Sequence, residues 1–180
     1  MNNNQSIKMY GVILILILGI VAVSTNYWST SKGSVPYDLQ GDTGKYSINI
    51  GLWKACTSIE GIPGSGDNNT CVDSSKSGPD DDNPNLKNIK TVRILSISSL
   101  VLIALSLYLL YAMPKQKEYF ILCLVLAGIL SVISVILWNN DPGLKDPLHT
   151  AKHGYSWYLE LISGLLAVLL AGLTQFNVIA

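Results

Sequence analysis

Residues 92–138 read VRILSISSLVLIALSLYLLYAM, then PKQKE, then YFILCLVLAGILSVISVILW. Two apolar runs, Val92 to Met113 and Tyr119 to Trp138, flank the short polar link Pro114 to Glu118. Each run is about the ~20 residues that a helix needs to cross a ~30 Å hydrocarbon core. Outward from this pair the pattern repeats twice. One apolar block runs from about Ile7 to Thr25, and another from about Tyr155 to Phe176. Helices buried in a soluble bundle would each keep a polar stripe for their wet side, and none of the four blocks has one. Beyond Lys8 at the edge of the first block, ionised residues within the apolar runs are limited to Arg93 and Glu160, each near the start of its block. The reading is therefore four membrane spans, at about 7–25, 92–113, 119–138 and 155–176. They are separated by a large first loop, 28–91, and a smaller second loop, 139–154.

Composition agrees with this arrangement. Apolar residues make up 49% and charged residues 13%, and the charged share is about half that of soluble domains. The formal net charge is zero, so no global field recruits nucleic acid. The first block, with Lys8 ahead of its apolar run and Ala22-Val23-Ser24 at its end, also fits a cleavable signal peptide. The length of that run and the interfacial pair Tyr27-Trp28 favour a retained span.

Orientation draws on three features. Lys8, Lys115 and Lys117 put both termini and the short link in the cytoplasm by the positive-inside rule. Lys87, Lys90, Arg93, Lys145 and Lys152 count the other way. Asn68-Asn69-Thr70 is a glycosylation sequon, used only on the lumenal side. Cys56 and Cys71 share the first loop, and a disulfide between them requires an oxidising compartment. Cys123 lies among Leu and Val and reads as an apolar packing residue. Within the first loop, Tyr46 to Trp53 alternates as a strand does. Gly33, Pro36 and Gly41-Asp42 punctuate the part before it, and Gly61 to Gly66 the part after. Ser74 to Asn85 holds no apolar residue and reads as a flexible insert. Its Asp80-Asp81-Asp82 lacks the spaced ligands and distal Glu of a calcium loop, and reads as a solvated charge run.

The most specific pattern is Trp28, then Gly51-Leu52-Trp53, then Cys56 and Cys71, with Arg93 opening the second span. It resembles the signature of the claudin superfamily, tetraspan proteins that include peripheral myelin and epithelial membrane proteins and the calcium-channel gamma subunits. The resemblance covers nearly the whole chain, 1–180, as a single domain. Trp138 to Pro142 is similar to the stretch after the third span in claudins. His153 to Tyr158 is closer to the gamma subunits and myelin-type members. The resemblance implies a left-handed four-helix transmembrane bundle carrying a small extracellular antiparallel β-sheet from the first loop. It also implies a Cys56–Cys71 bond between two strands, and Trp28, Leu52 and Trp53 seating the sheet in the mouth of the bundle. Three features depart from the family: a wide Cys56-to-Cys71 spacing, the Ser/Asp-rich insert before the second span, and a C-terminal stretch Asn177 to Ala180 without a scaffold-binding motif. Attachment to a PDZ scaffold is not expected.

Arg93 and Glu160 stand near the same outer side, so an Arg93–Glu160 ion pair is one expectation, and snorkelling of Arg93 to the headgroups the other. Ser163, Ala167 and Ala171, with Ala127 and Ser131, form small-residue ladders suited to close helix packing. No catalytic constellation, metal-ligand spacing or phosphate loop appears, so neither an enzyme nor a cofactor is expected. The resemblance implies a plasma-membrane protein that associates with itself within one membrane and across apposed ones, at cell junctions, shaping a barrier or an ion pathway. The alternative is an auxiliary subunit of a channel or receptor. The first loop carries six lysines against eight acidic residues, too even a balance to assign ion selectivity.

Overall fold

The computed structural model describes residues 3–36, 43–60, 68–74, 85–113, 116–141 and 152–176. Several expected features lie outside the described residues: the turns at Gly41-Asp42 and Gly61 to Gly66, the run Asp80-Asp81-Asp82, Lys115, Pro142, Lys145 and the stretch Asn177 to Ala180.

Four helices dominate: α1 (Asn3–Ser24), α2 (Asn85–Ala112), α3 (Lys117–Asn139) and α4 (Tyr155–Gln175). All four are long and apolar enough to cross a membrane, and the chain is a multi-pass membrane protein. A helix is the form these runs must take, because lipid offers backbone N–H and C=O groups no partner outside the segment. Each helix packs against two others, in the ring order α1–α2–α3–α4. The shared interior holds Val12 and Ile15 of α1, Ile103 of α2, Leu124 and Ala127 of α3, and Ala167 and Leu170 of α4.

Apolar burial cannot drive helix association in lipid, which is as apolar as leucine, so close approach and hydrogen bonds must. The expected small-residue ladders supply the first: Ala127, Ser131, Ser163, Ala167 and Ala171 are all buried. Two glycines tighten the α3–α4 contact further. A Cβ on Gly128 would come within 2.7 Å of the Gly164 carbonyl, and one on Gly164 within 2.8 Å of Ser131 Cβ. Hydroxyls supply the second. Ser99 of α2 donates to the Ala127 carbonyl of α3 at 3.0 Å and lies 2.8 Å from Ser131 Oγ. Ser163 of α4 donates to the Ile15 carbonyl of α1 at 3.1 Å.

The first loop folds into four strands, β1 (Ser29–Pro36), β2 (Thr43–Ile50), β3 (Lys54–Glu60) and β4 (Asn68–Asp73). A two-residue strand from the second loop, β5 (Lys152–His153), completes an antiparallel sheet in the order β4-β3-β2-β1-β5. Cys56 and Cys71 stand opposite each other in the β3–β4 register and are bonded. Three local expectations are corrected. The strand expected over Tyr46 to Trp53 stops at Ile50, because Gly51 must pass the α1–β1 connection. Gly33 is not a turn: it pairs with Tyr46 inside β1, and a Cβ there would collide with the Tyr46 ring. Ser74, assigned to a flexible insert, is buried and hydrogen-bonded.

Candidate functional site

The sheet meets the bundle at a joint built from the ends of α1 and α2 and the bend between β2 and β3. A helix leaves its last carbonyls without intrahelical partners, and in lipid or at its edge that deficit is costly. At the end of α1 the Val21 carbonyl accepts from Thr25, both from its backbone N–H and from its hydroxyl. The next two carbonyls are closed by indoles. Trp28 Nε1 donates to the Ala22 carbonyl at 2.8 Å, and Trp53 Nε1 donates to the Val23 carbonyl at 2.8 Å. The two loop tryptophans thus share one task, the C-terminal cap of α1.

Trp28 is fully buried with Leu52, Val23, Val92 and Trp138. Its ring lies 5.1 Å from Trp138, whose own indole donates to Ser29 Oγ at 2.9 Å. Trp53 is half-buried, as suits a ring with one apolar and one wet side. Gly51 makes the crossing possible, since a Cβ there would sit 2.3 Å from Asn26 Cα. The entry to α4 is equally tight. Gly154 donates its backbone N–H to the Trp28 carbonyl at 2.9 Å, and a Cβ on it would overlap the Tyr27 carbonyl. The Gly-aromatic pattern at 154–158 is therefore explained by packing.

Arg93, one turn into the apolar part of α2, ties the joint together. Its Nε donates to the Leu52 carbonyl at 2.5 Å and its Nη2 to Ser74 Oγ at 2.9 Å. The guanidinium lies 4.9 Å from the centre of the Trp53 ring and 3.5 Å from Asp73 Oδ1. Ser74 also donates to the Leu52 carbonyl at 2.9 Å, and its backbone N–H donates to the Trp53 carbonyl at 3.1 Å. One cation therefore holds the Gly51–Trp53 bend and the end of β4 against α2.

The expected Arg93–Glu160 pair does not form. Arg93 turns toward the sheet, where Asp73 and two oxygen acceptors meet its planar fork. Glu160 points inward from α4 and is 1% exposed. It faces the hydroxyls of Ser96 and Ser131, although neither Glu160 Oε1 nor Ser96 Oγ has a partner at hydrogen-bond geometry. The sequence reading missed Asp73 and Ser74 as partners of Arg93. The available signal was register: with Cys56 opposite Cys71, Lys54 stands opposite Asp73, and the chain must then pass the start of α2. Asn68 opens β4 opposite Ile59. Among the described residues no group of three His, Cys, Asp or Glu side chains is placed to hold a metal ion.

A family model described as PMP-22/EMP/MP20/Claudin tight junction matches residues 13–173, from the first span through the fourth. No curated protein matches the chain.

Proposed function

The chain belongs to the PMP-22/EMP/MP20/claudin family, and from that premise we propose that it is a structural, adhesive protein of cell–cell contacts. Its sheet associates side by side within one membrane and across apposed membranes, forming a paracellular barrier or ion pathway. Family membership points to a structural or channel-related protein rather than an enzyme. The observation that carries the adhesive reading is the combination of a clamped sheet and an open edge. Among the described residues β4 is the last strand of the sheet and no further strand pairs with it, and Val72 within it is 54% exposed. An uncovered strand edge is a template for pairing with another chain, and the Arg93 joint keeps it at a fixed attitude to the bilayer.

In this reading the sheet stands outside the cell and both termini lie in the cytoplasm of a plasma-membrane protein. The Cys56–Cys71 bond supports that sidedness, because disulfides persist in oxidising compartments. Lys8 and Lys117 at the opposite end of the bundle support it by the positive-inside rule. The sequon at Asn68 then lies on the lumenal side, where glycosylation takes place. The test is expression in cells without junction strands, followed by freeze-fracture microscopy of their contacts. Continuous intramembrane strands are expected. Dispersed surface protein without strands overturns the adhesive role. The resemblance of His153 to Tyr158 to the gamma subunits favours the second reading, an auxiliary subunit, for which a larger channel or receptor would co-purify in fixed stoichiometry.

A further inference from the structure

In the half of the bundle nearer the sheet, α2, α3 and α4 turn polar groups toward one another inside an apolar core. Ser99 gives its hydroxyl proton to the Ala127 carbonyl. Its 2.8 Å contact with Ser131 therefore uses the Ser131 proton, and the Ser131 oxygen keeps its lone pairs open. Gly164 of α4 faces this serine, since a Cβ on it would come within 2.8 Å of Ser131 Cβ. One turn nearer the sheet, Ser96 shares a face of α2 with Ser99, and Glu160 shares a face of α4 with Gly164. Ser96, Ser131 and Glu160 are all buried. Other buried hydroxyls of the spans, at Ser106, Ser134 and Thr174, donate to carbonyls of their own helices. Ser96 Oγ and Glu160 Oε1 have no partner. Arg93 is turned to Asp73, and among the described residues no cationic side chain pairs with Glu160. An ionisable residue inside a span calls for a partner and marks a functional site.

We propose that Glu160, Ser96 and Ser131 hold one small monovalent cation between α2, α3 and α4. The single carboxylate sets the valence, because a divalent ion would leave uncompensated charge in a low-dielectric core. The ligands are all oxygens, the donors that hard cations take. A water molecule would serve the open oxygens and leave the carboxylate charge, whereas a proton would remove the charge and serve one oxygen. A cation at the centre does both. The ion ties three helices together beneath the joint, so it stabilises the bundle in proportion to its occupancy. The site depends neither on the adhesive role of the sheet nor on which side of the membrane the sheet faces.

The test uses the purified full-length protein in neutral detergent, with radioactive sodium as the probe and choline chloride holding the ionic strength constant. Saturable uptake of one sodium ion per chain is expected, as charge balance requires, together with a thermal midpoint that rises with sodium. Glu160→Gln abolishes the uptake. Ser96→Ala weakens it by about tenfold or more, the usual effect of removing a partner from a metal site. Glu118→Gln, an exposed carboxylate at the opposite end of the bundle, leaves it unchanged. Should Glu160→Gln not fold, Ser96→Ala and the midpoint of the unaltered protein carry the test. No saturable uptake, with a midpoint equal in sodium and choline, overturns the proposal and assigns Glu160 as a neutral acid. Uptake that survives Glu160→Gln also overturns it. So does displacement of sodium by micromolar calcium, which assigns the site to a divalent ion.

Discussion

Replacing Arg93 with Met removes the guanidinium while leaving most of the stem that packs against the joint. The size of the effect follows from what the group touches. Two charge-assisted hydrogen bonds are lost, to the Leu52 carbonyl and to Ser74 Oγ; hydrogen bonds to charged groups contribute about 1.5–3 kcal/mol each. The Leu52 carbonyl is not left unsatisfied, because Ser74 also donates to it, and this pulls the cost toward the low end. Asp73 is 48% exposed, so its pairing with Arg93 adds only about 0.2–1 kcal/mol. The Trp53 ring adds about 0.5–1 kcal/mol. At their low ends these terms sum to about 4 kcal/mol, an upper estimate of the destabilisation because interactions sharing one side chain are not additive. The assay is unfolding in mixed micelles titrated with SDS and followed by tryptophan fluorescence, since Trp28 and Trp53 report on the joint itself. A double-mutant cycle assigns the partners. Arg93→Met and Ser74→Ala are expected to couple by about 1 kcal/mol or more, whereas Arg93→Met and Glu160→Gln add to within about 0.5 kcal/mol. A cost below about 0.5 kcal/mol, or coupling to Glu160 larger than coupling to Ser74, refutes the assignment of Arg93 to the sheet.

Cys56→Ser/Cys71→Ser opens a link between residues 15 apart in sequence, and on the chain-entropy model costs about 3 kcal/mol. A lowered unfolding midpoint in the same titration, with the span helicity retained by circular dichroism, is the expected outcome. Gly51→Ala and Gly154→Ala each force a methyl into backbone, and are expected to cost at least the ~1–3 kcal/mol typical of overpacking. Gly172→Ala, where nothing lies within 4 Å, is expected to be neutral or to gain up to about 1 kcal/mol of helix stability. Thermal unfolding of the three variants side by side checks the contrast.

The helices were the most legible part of the chain, because lipid imposes one requirement on every residue of a span. Composition alone therefore marked all four, and the ladders at Ser131, Ala127, Ser163, Ala167 and Ala171 named the packed faces before any contact was known. What was not legible depends on contacts distant in sequence. Gly33 looks like a turn residue in isolation and becomes a strand residue only beside the Tyr46 ring. Lys152 and His153 carry no strand pattern of their own and join the sheet because Gly154, bonded to the Trp28 carbonyl, brings them against Thr30 and Ser29. For Arg93 the sequence offers Glu160 or the headgroups and hides the choice that the fold makes: only the folded sheet puts Asp73, Ser74 and the Leu52 carbonyl around a single fork.

That choice also explains why the signature residues occur together. A sheet standing on a membrane bundle must do more than bury apolar side chains at its base, since the helix ends there also have carbonyls that need donors. Tryptophan answers both needs with one side chain, and the joint uses it at Trp28 and Trp53 on successive carbonyls of α1. Seating two indoles there brings the β2–β3 bend across the α1–β1 connection, which requires Gly51. The bend then exposes its own carbonyl at Leu52, and Arg93 supplies the donor from α2. Each residue answers a deficit created by the one before it. Removing either indole or Gly51 leaves a carbonyl unsatisfied or a collision unrelieved, and removing Arg93 leaves Ser74 as the remaining side-chain donor to the Leu52 carbonyl, so the pattern behaves as a unit in a way that four separate interfacial anchors would not.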